Sequence, residues 1–318
     1  MQPIFLFSLP RSGSTLAQRI LGAHQDIATS SEPWILLPFI YMLRGKRAWA
    51  EYDHRLATDA IEDFYKQMPG AQADYLHEIR ECVLRLYAKA APGKERYFLD
   101  KTPRYHLIAS EVRRMFPDAK YVFLWRNPLA MLGSYIDFFG QGKWNLYAYE
   151  IDLFRGLDNL ISVYKESKDN VYALRYEDLV NNSAESVEKL VAYLELPYDP
   201  KVLESFSQVK LEGRLGDYKG SKSYGAISRE PLEKWKLFLG NPLRKRWALN
   251  YIEWIGSDRL AVMGYSLEAL RKELNSIPLS SNNLISDAIR MTYGRWFRKD
   301  TQYYDYTIGA QKCCPAVK

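Results

Sequence analysis

The chain has 318 residues, 47% of them hydrophobic, and a formal net charge of 44 − 38 = +6. One or two domains with an ordinary core are expected, and the mild basic excess forms no long Lys/Arg run, which argues against nucleic-acid binding. Three cysteines (Cys82, Cys313, Cys314) make no disulfide framework, no run of about 18 apolar residues offers a membrane span, and four His with no H-x-x-x-H or C-x-x-C spacing give no metal site.

The first informative stretch is residues 3–21, PIFLFSLPRSGSTLAQRIL. Ile4-Phe5-Leu6-Phe7 has the length and composition of a strand. A turn through Leu9–Thr15 leads into an amphipathic helix with Leu16, Ile20 and Leu21 on one face. Strand, hydroxyl-rich turn and helix together present backbone N–H groups to an anion at a helix N-terminus. Arg11 adds a forked cation, and Ser12, Ser14 and Thr15 add hydroxyls. The stretch reads as a phosphate cradle; the plainer alternative is a buried βα turn with a Ser/Thr cap. It is not the nucleotide loop G-x-x-x-x-G-K-[ST], because Ser8 stands at the first Gly and Ser14 at the Lys. No basic segment precedes the strand, so a cytoplasmic protein is expected.

Pro33 biases Glu32 toward extended backbone, on a loop or strand end after the first helix. A strand parallel to the first would return Glu32 to the carboxyl edge of the sheet, where ligands of open α/β sheets bind. Residues 34–92 read as a helical insertion, with segments over 53–68 and 74–91 separated by Pro69-Gly70, and form a candidate acceptor-pocket wall. A strand over 96–99 ends in Asp100-Lys101-Thr102-Pro103-Arg104, and a helix covers 110–116. The strand over 119–125 is the clearest in the chain; Asn127 as N-cap and Pro128 at the first position start a helix over 128–139. The 140s read as a loop, 148–167 as a helix, 171–174 as a strand, and 183–194 as a helix starting at Ser183. A polar, Gly-rich stretch follows within 200–229, then helices over 231–257. This βα alternation predicts an α/β fold: a doubly wound parallel sheet of about four to five strands flanked by helices. The expected domain is 1–275; residues 276–318 are read as an extension with a helix near 285–297 and a Tyr-rich end.

Residues 10–16, Pro-Arg-Ser-Gly-Ser-Thr-Leu, resemble the 5′-phosphosulfate loop P-R-S-G-[ST]-T-L of sulfotransferases that use 3′-phosphoadenosine 5′-phosphosulfate (PAPS). The resemblance spans roughly residues 3–265 and implies a P-loop-like sulfotransferase fold, with PAPS as co-substrate and no metal. It assigns Arg11, Ser12, Gly13, Ser14 and Thr15 to the 5′-phosphate and sulfonate. Arg126, with Ser134 eight residues on, resembles the 3′-phosphate motif. Glu32, 21 residues after Arg11, resembles the carboxylate base of tyrosylprotein and glycan sulfotransferases. Lys101 resembles the Lys that neutralises the bridging oxygen, with Asp100 expected to orient Lys101 or Arg11. Tyr176, in Arg-Tyr-Glu-Asp-Leu, resembles the Tyr at the adenine end. The rival base is His106, although its context departs from the K-x-H-x-P of the cytosolic enzymes. Residues 213–229 partly resemble a nucleotide lid, but Glu212 replaces its basic residue; Lys219, Lys222, Ser228 and Arg229 are candidates to take over that contact.

The implied reaction is sulfuryl transfer to a hydroxyl, or an amine, of a small molecule or glycan. The 24 Tyr and 8 Trp suit a large core or an aromatic-walled pocket, and the aromatics over 34–52 and 135–154 suit a sugar, a phenol or a cationic small molecule equally. Two other readings stay open: a P-loop-like nucleotide kinase, and a non-catalytic nucleotide-binding protein of the same fold. A homodimer is compatible with the sequence.

Overall fold

The computed structural model describes residues 1–45, 52–167, 170–212 and 225–294. Lys219, Lys222, most of the expected lid and the Tyr-rich end lie outside the described residues. Five strands form one sheet: β1 (Gln2–Phe7), β2 (Ile27–Thr29), β3 (Tyr97–Asp100), β4 (Lys120–Trp125) and β5 (Val171–Arg175). Their order is β2-β3-β1-β4-β5, and every pairing is parallel. The expected doubly wound sheet is therefore present.

Alternation along the strands explains why both faces are covered. Ile4, Leu6, Leu99, Val122 and Leu124 point into a mainly aliphatic core. That core packs under α1 (Ser14–Gly22), α8 (Tyr176–Asn181) and α9 (Ser183–Tyr193). Phe5, Phe7, Phe98, Tyr121, Phe123 and Trp125 point the other way, into a larger aromatic core. Packed there are α4 (Gln72–Ala90), α5 (Ala109–Met115), α6 (Pro128–Phe138) and α7 (Leu157–Glu166). Between β2 and α4 lie α2 (Leu36–Tyr41) and α3 (His54–Tyr65), and Asp53 caps α3 by accepting from the amides of Arg55 and Leu56.

Asn127 accepts from the amides of Leu129 and Ala130, with Pro128 at the first helical position, so α6 starts where its sequence dictates. The expected single helix over 148–167 is instead a 3₁₀ turn at Leu146–Ala148, a π-helical stretch at Ile151–Gly156 and then α7. The helices expected over 231–257 are Glu230–Glu233, Lys236–Leu239 and Pro242–Val262, the last broken at Gly256. The helix expected near 285–297 is Leu284–Tyr293; its fully buried Asp287 accepts from Arg244 and Asn241, which docks it on Pro242–Val262. Among the described residues no helix is long and apolar enough to cross a membrane.

Candidate active site at the carboxyl edge of the sheet

All five strands end at one edge, and the loops that leave them carry the chemistry-bearing residues. The chain runs from β1 to one side and from β3 across β1 to the other, so the edge around β1 is a topological switch point. A cavity of about 740 Å³ opens there, lined among others by Arg11, Gly13, Thr15, Glu32, Arg126 and Tyr176.

The loop after β1 is held in an uncommon conformation. Arg11 has φ 65° and Gly13 has φ 86°. A non-glycine residue in the left-handed region costs free energy unless its surroundings hold it there. Arg126 provides that hold, donating from Nη1 to the Arg11 carbonyl at 2.7 Å. Gly13 is required twice over: by its φ, and because a Cβ there would lie 2.3 Å from the Tyr176 ring. No side chain caps α1, so its first amides, with Ser14 and Thr15, sit at the cavity wall.

The cations are braced. Arg11 Nε donates to Ser134 Oγ at 3.3 Å, and the guanidinium lies 3.8 Å from the Phe138 ring centroid. Arg126 donates from Nη2 to the Pro231 carbonyl at 3.0 Å and stands 4.5 Å over the Tyr176 ring. Arg126 and Ser134 thus share the cavity wall, but the partner of Ser134 is Arg11. Ser12 turns away: its buried hydroxyl meets Met131 Sδ at 3.6 Å, and only its backbone belongs to the loop.

Opposite the cradle, Lys101 Nζ donates to Glu32 Oε1 at 2.8 Å. Trp34 Nε1 donates to Glu32 Oε2 at 3.2 Å. A carboxylate has about four lone-pair sites, so Glu32 can still accept from a ligand hydroxyl. Glu32 lines the cavity, whereas Lys101 is 1% exposed and stands behind it. Asp100 does not orient Lys101 or Arg11 through a hydrogen bond. Its oxygens take the hydroxyls of Tyr87, Tyr105 and Thr102, at 2.6, 3.0 and 2.9 Å. Burial raises its pKa to about 6, against the downward pull of those hydroxyls and of Lys101.

His106 is fully buried, and its Nε2 pairs with Asp152 Oδ1 at 2.7 Å. It lies outside the cavity wall, whereas Asp152 and Arg104 line it. Ser228 also lines the wall, its Oγ accepting from the Glu230 amide, while Arg229 is exposed and reaches the Asn181 carbonyl. Lys234 and Asp137 form an ion pair at the rim at 2.9 Å. No sequence pattern points to Arg104, Asp152 or the Lys234–Asp137 pair as cavity residues. Among the described residues no group of three or more His, Cys, Asp or Glu side chains could hold a metal ion.

The family model described as the sulfotransferase family matches residues 3–200, well over half of the chain. The chain belongs to that family. The matched range contains the β1–α1 loop and the first turn of α1 just described. Nodulation protein NoeE of Sinorhizobium fredii is 24% identical, over 92% of this chain and 73% of that protein. The protein-tyrosine sulfotransferase of Drosophila melanogaster is 27% identical, over 64% of this chain and 40% of the fly protein. Among solved structures, the sulfotransferase domain from the Synechococcus PCC 7002 olefin synthase superposes with a TM-score of 0.52 at 23% identity, covering 74% of this chain and 87% of that one. The sulfotransferase domain from the curacin biosynthetic pathway gives 0.50 at 20% identity, covering 87% and 98%. Those two likenesses concern the fold.

Proposed function

We propose that this sulfotransferase moves a sulfuryl group from PAPS to an acceptor hydroxyl. The observation that carries the reading is convergence. The Arg11–Thr15 loop, Glu32 and Arg126 come from three strand ends and face one cavity. The α1 amides, Arg11, Ser14 and Thr15 hold the 5′-phosphate and the sulfonate, with Gly13 admitting the close backbone approach. Arg126 and Ser134 hold the 3′-phosphate, and Tyr176 and Ser228 border the nucleotide.

Glu32 takes the proton of the acceptor hydroxyl. The acceptor oxygen attacks sulfur in line; the new O–S bond forms as the bond from sulfur to the bridging phosphate oxygen breaks. The electron pair leaves on that oxygen, giving 3′-phosphoadenosine 5′-phosphate (PAP) and a sulfate ester. The positive charges of Arg11 and Lys101 offset the charge growing there. No metal enters these steps.

Calorimetric titration with PAP tests the reading, with ATP and Mg²⁺ as control. Tight binding of PAP with weak binding of ATP is expected. Equal binding of ATP with Mg²⁺, or no binding of PAP, would overturn it.

A further inference from the structure

The sulfuryl-transfer reading leaves one buried charged cluster unused. Asp152 is fully buried yet lines the cavity. Its Oδ1 is taken twice, by Arg104 Nη1 at 2.6 Å and His106 Nε2 at 2.7 Å. Its Oδ2 is buried and has no hydrogen-bond partner among the described residues. Leaving a buried carboxylate oxygen unsatisfied is costly, and such an atom calls for a ligand.

The surroundings hold that oxygen ready. Burial alone would raise the Asp152 pKa, but the Arg104 charge and the His106 hydrogen bond outweigh it, and the net shift is downward. The carboxylate therefore stays ionised and can only accept. His106 is pushed down chiefly by burial, against the pull of Asp152. A neutral imidazole facing a carboxylate carries its hydrogen on Nε2, so His106 donates to Asp152 and fixes it. Gly156 leaves room for this imidazole, since a Cβ there would lie 2.6 Å from its Nδ1.

Asp152 sits in the π-helical stretch Ile151–Gly156, a departure from α-geometry that recurs at functional sites. The Tyr135 hydroxyl, buried with no hydrogen-bond partner among the described residues, lies within electrostatic reach of both Asp152 and Arg104. The aromatic rings of Trp34, Phe139 and Tyr149 line the same cavity. Since Arg104 already balances the charge of Asp152, the free oxygen suits a neutral hydroxyl better than an ammonium group.

We propose that Asp152 is an acceptor-binding residue whose Oδ2 takes a hydrogen bond from a second hydroxyl of the acceptor. The acceptor class is then a polyhydroxy compound, not a lone alcohol. Arg104 and His106 act through Asp152 as positioning residues. This inference rests on the sulfuryl-transfer reading above.

The test gives wild type and Asp152→Asn PAPS with either cis-cyclohexane-1,2-diol or cyclohexanol, and measures the sulfate ester by mass spectrometry. PAP is titrated into both proteins, and their thermal unfolding is compared. Wild type should sulfate the diol with kcat/KM at least about tenfold above cyclohexanol, as expected for one hydrogen bond to a charged group. In the variant the ratio should fall to near one with PAP affinity unchanged. A wild-type ratio near one, or no diol product, with PAP bound would overturn the proposal while leaving the donor reading intact. A protein that does not bind PAP at all would overturn both. Should Asp152→Asn fail to fold, the wild-type ratio alone decides.

Discussion

Lys101 and Glu32 are 69 residues apart in sequence and meet at 2.8 Å, one just past β3 and the other just past β2. Because β2 and β3 pair in parallel, both strand ends reach the same edge. The ammonium is almost fully buried, so its charge is met by Glu32 and not by bulk water. Glu32→Gln keeps an acceptor for Lys101 and removes the proposed base. It should lower kcat by about 10²–10⁴-fold with PAP affinity little changed. Glu32→Ala leaves the ammonium uncompensated and should cost on the order of 3–5 kcal/mol of stability, read from denaturant unfolding. Equal activity of Glu32→Gln and wild type would exclude Glu32 as the base.

The β1–α1 loop makes a second expectation in which neighbouring residues behave oppositely. Gly13→Ala places a Cβ against the Tyr176 ring on a left-handed backbone, so it should distort the loop and weaken PAP binding by tenfold or more. Ser12→Ala removes only a contact to Met131 and should leave PAP affinity within a few-fold of wild type. Titration of both variants checks this. A large loss in Ser12→Ala would mean that the hydroxyl turns into the cavity when the ligand binds.

Asp100 supplies a pH signature. Its folded pKa of about 6 lies above the ordinary 3.8, chiefly because of burial, so the folded state holds the proton more tightly than the unfolded chain. Its contribution to stability is therefore full below about pH 4 and is lost as the pH rises to about 6, by on the order of 3 kcal/mol. Asp100→Asn cannot titrate. Its unfolding free energy should lack that fall, so the difference from wild type should change between pH 4 and pH 6.5 and be flat above. A pH-independent difference would show that Asp100 titrates normally.

The sequence reveals those parts of the site that depend on local pattern. An apolar run, a turn and an amphipathic helix specify the β1–α1 loop, and the strand-end positions of Glu32, Lys101 and Arg126 follow from the same alternation. What it hides is set by packing between distant segments. Ser12 and Ser14 look equivalent in the motif, yet one faces α6 and the other the cavity. Asp100 sits next to Lys101 in sequence, but its partners are Tyr87 on α4 and the hydroxyls of Thr102 and Tyr105. Asp152 lies in a stretch whose periodicity reads as regular helix, yet it sits buried at the cavity wall in a π-helical stretch that no local pattern announces. The burial of His106 against Asp152 is likewise not visible in its sequence neighbours.

The 3′-phosphate is what separates PAPS from common adenine nucleotides, and Arg126 is the residue assigned to read it. The decisive measurement is the ratio of PAP to AMP affinity, by calorimetry, in wild type and in Arg126→Ala, with thermal unfolding to confirm that the variant is folded. Wild type should prefer PAP by about 100-fold or more, and the variant should lose most of that preference through weaker PAP binding. Equal affinity of wild type for PAP and AMP would contradict the assignment of PAPS as donor.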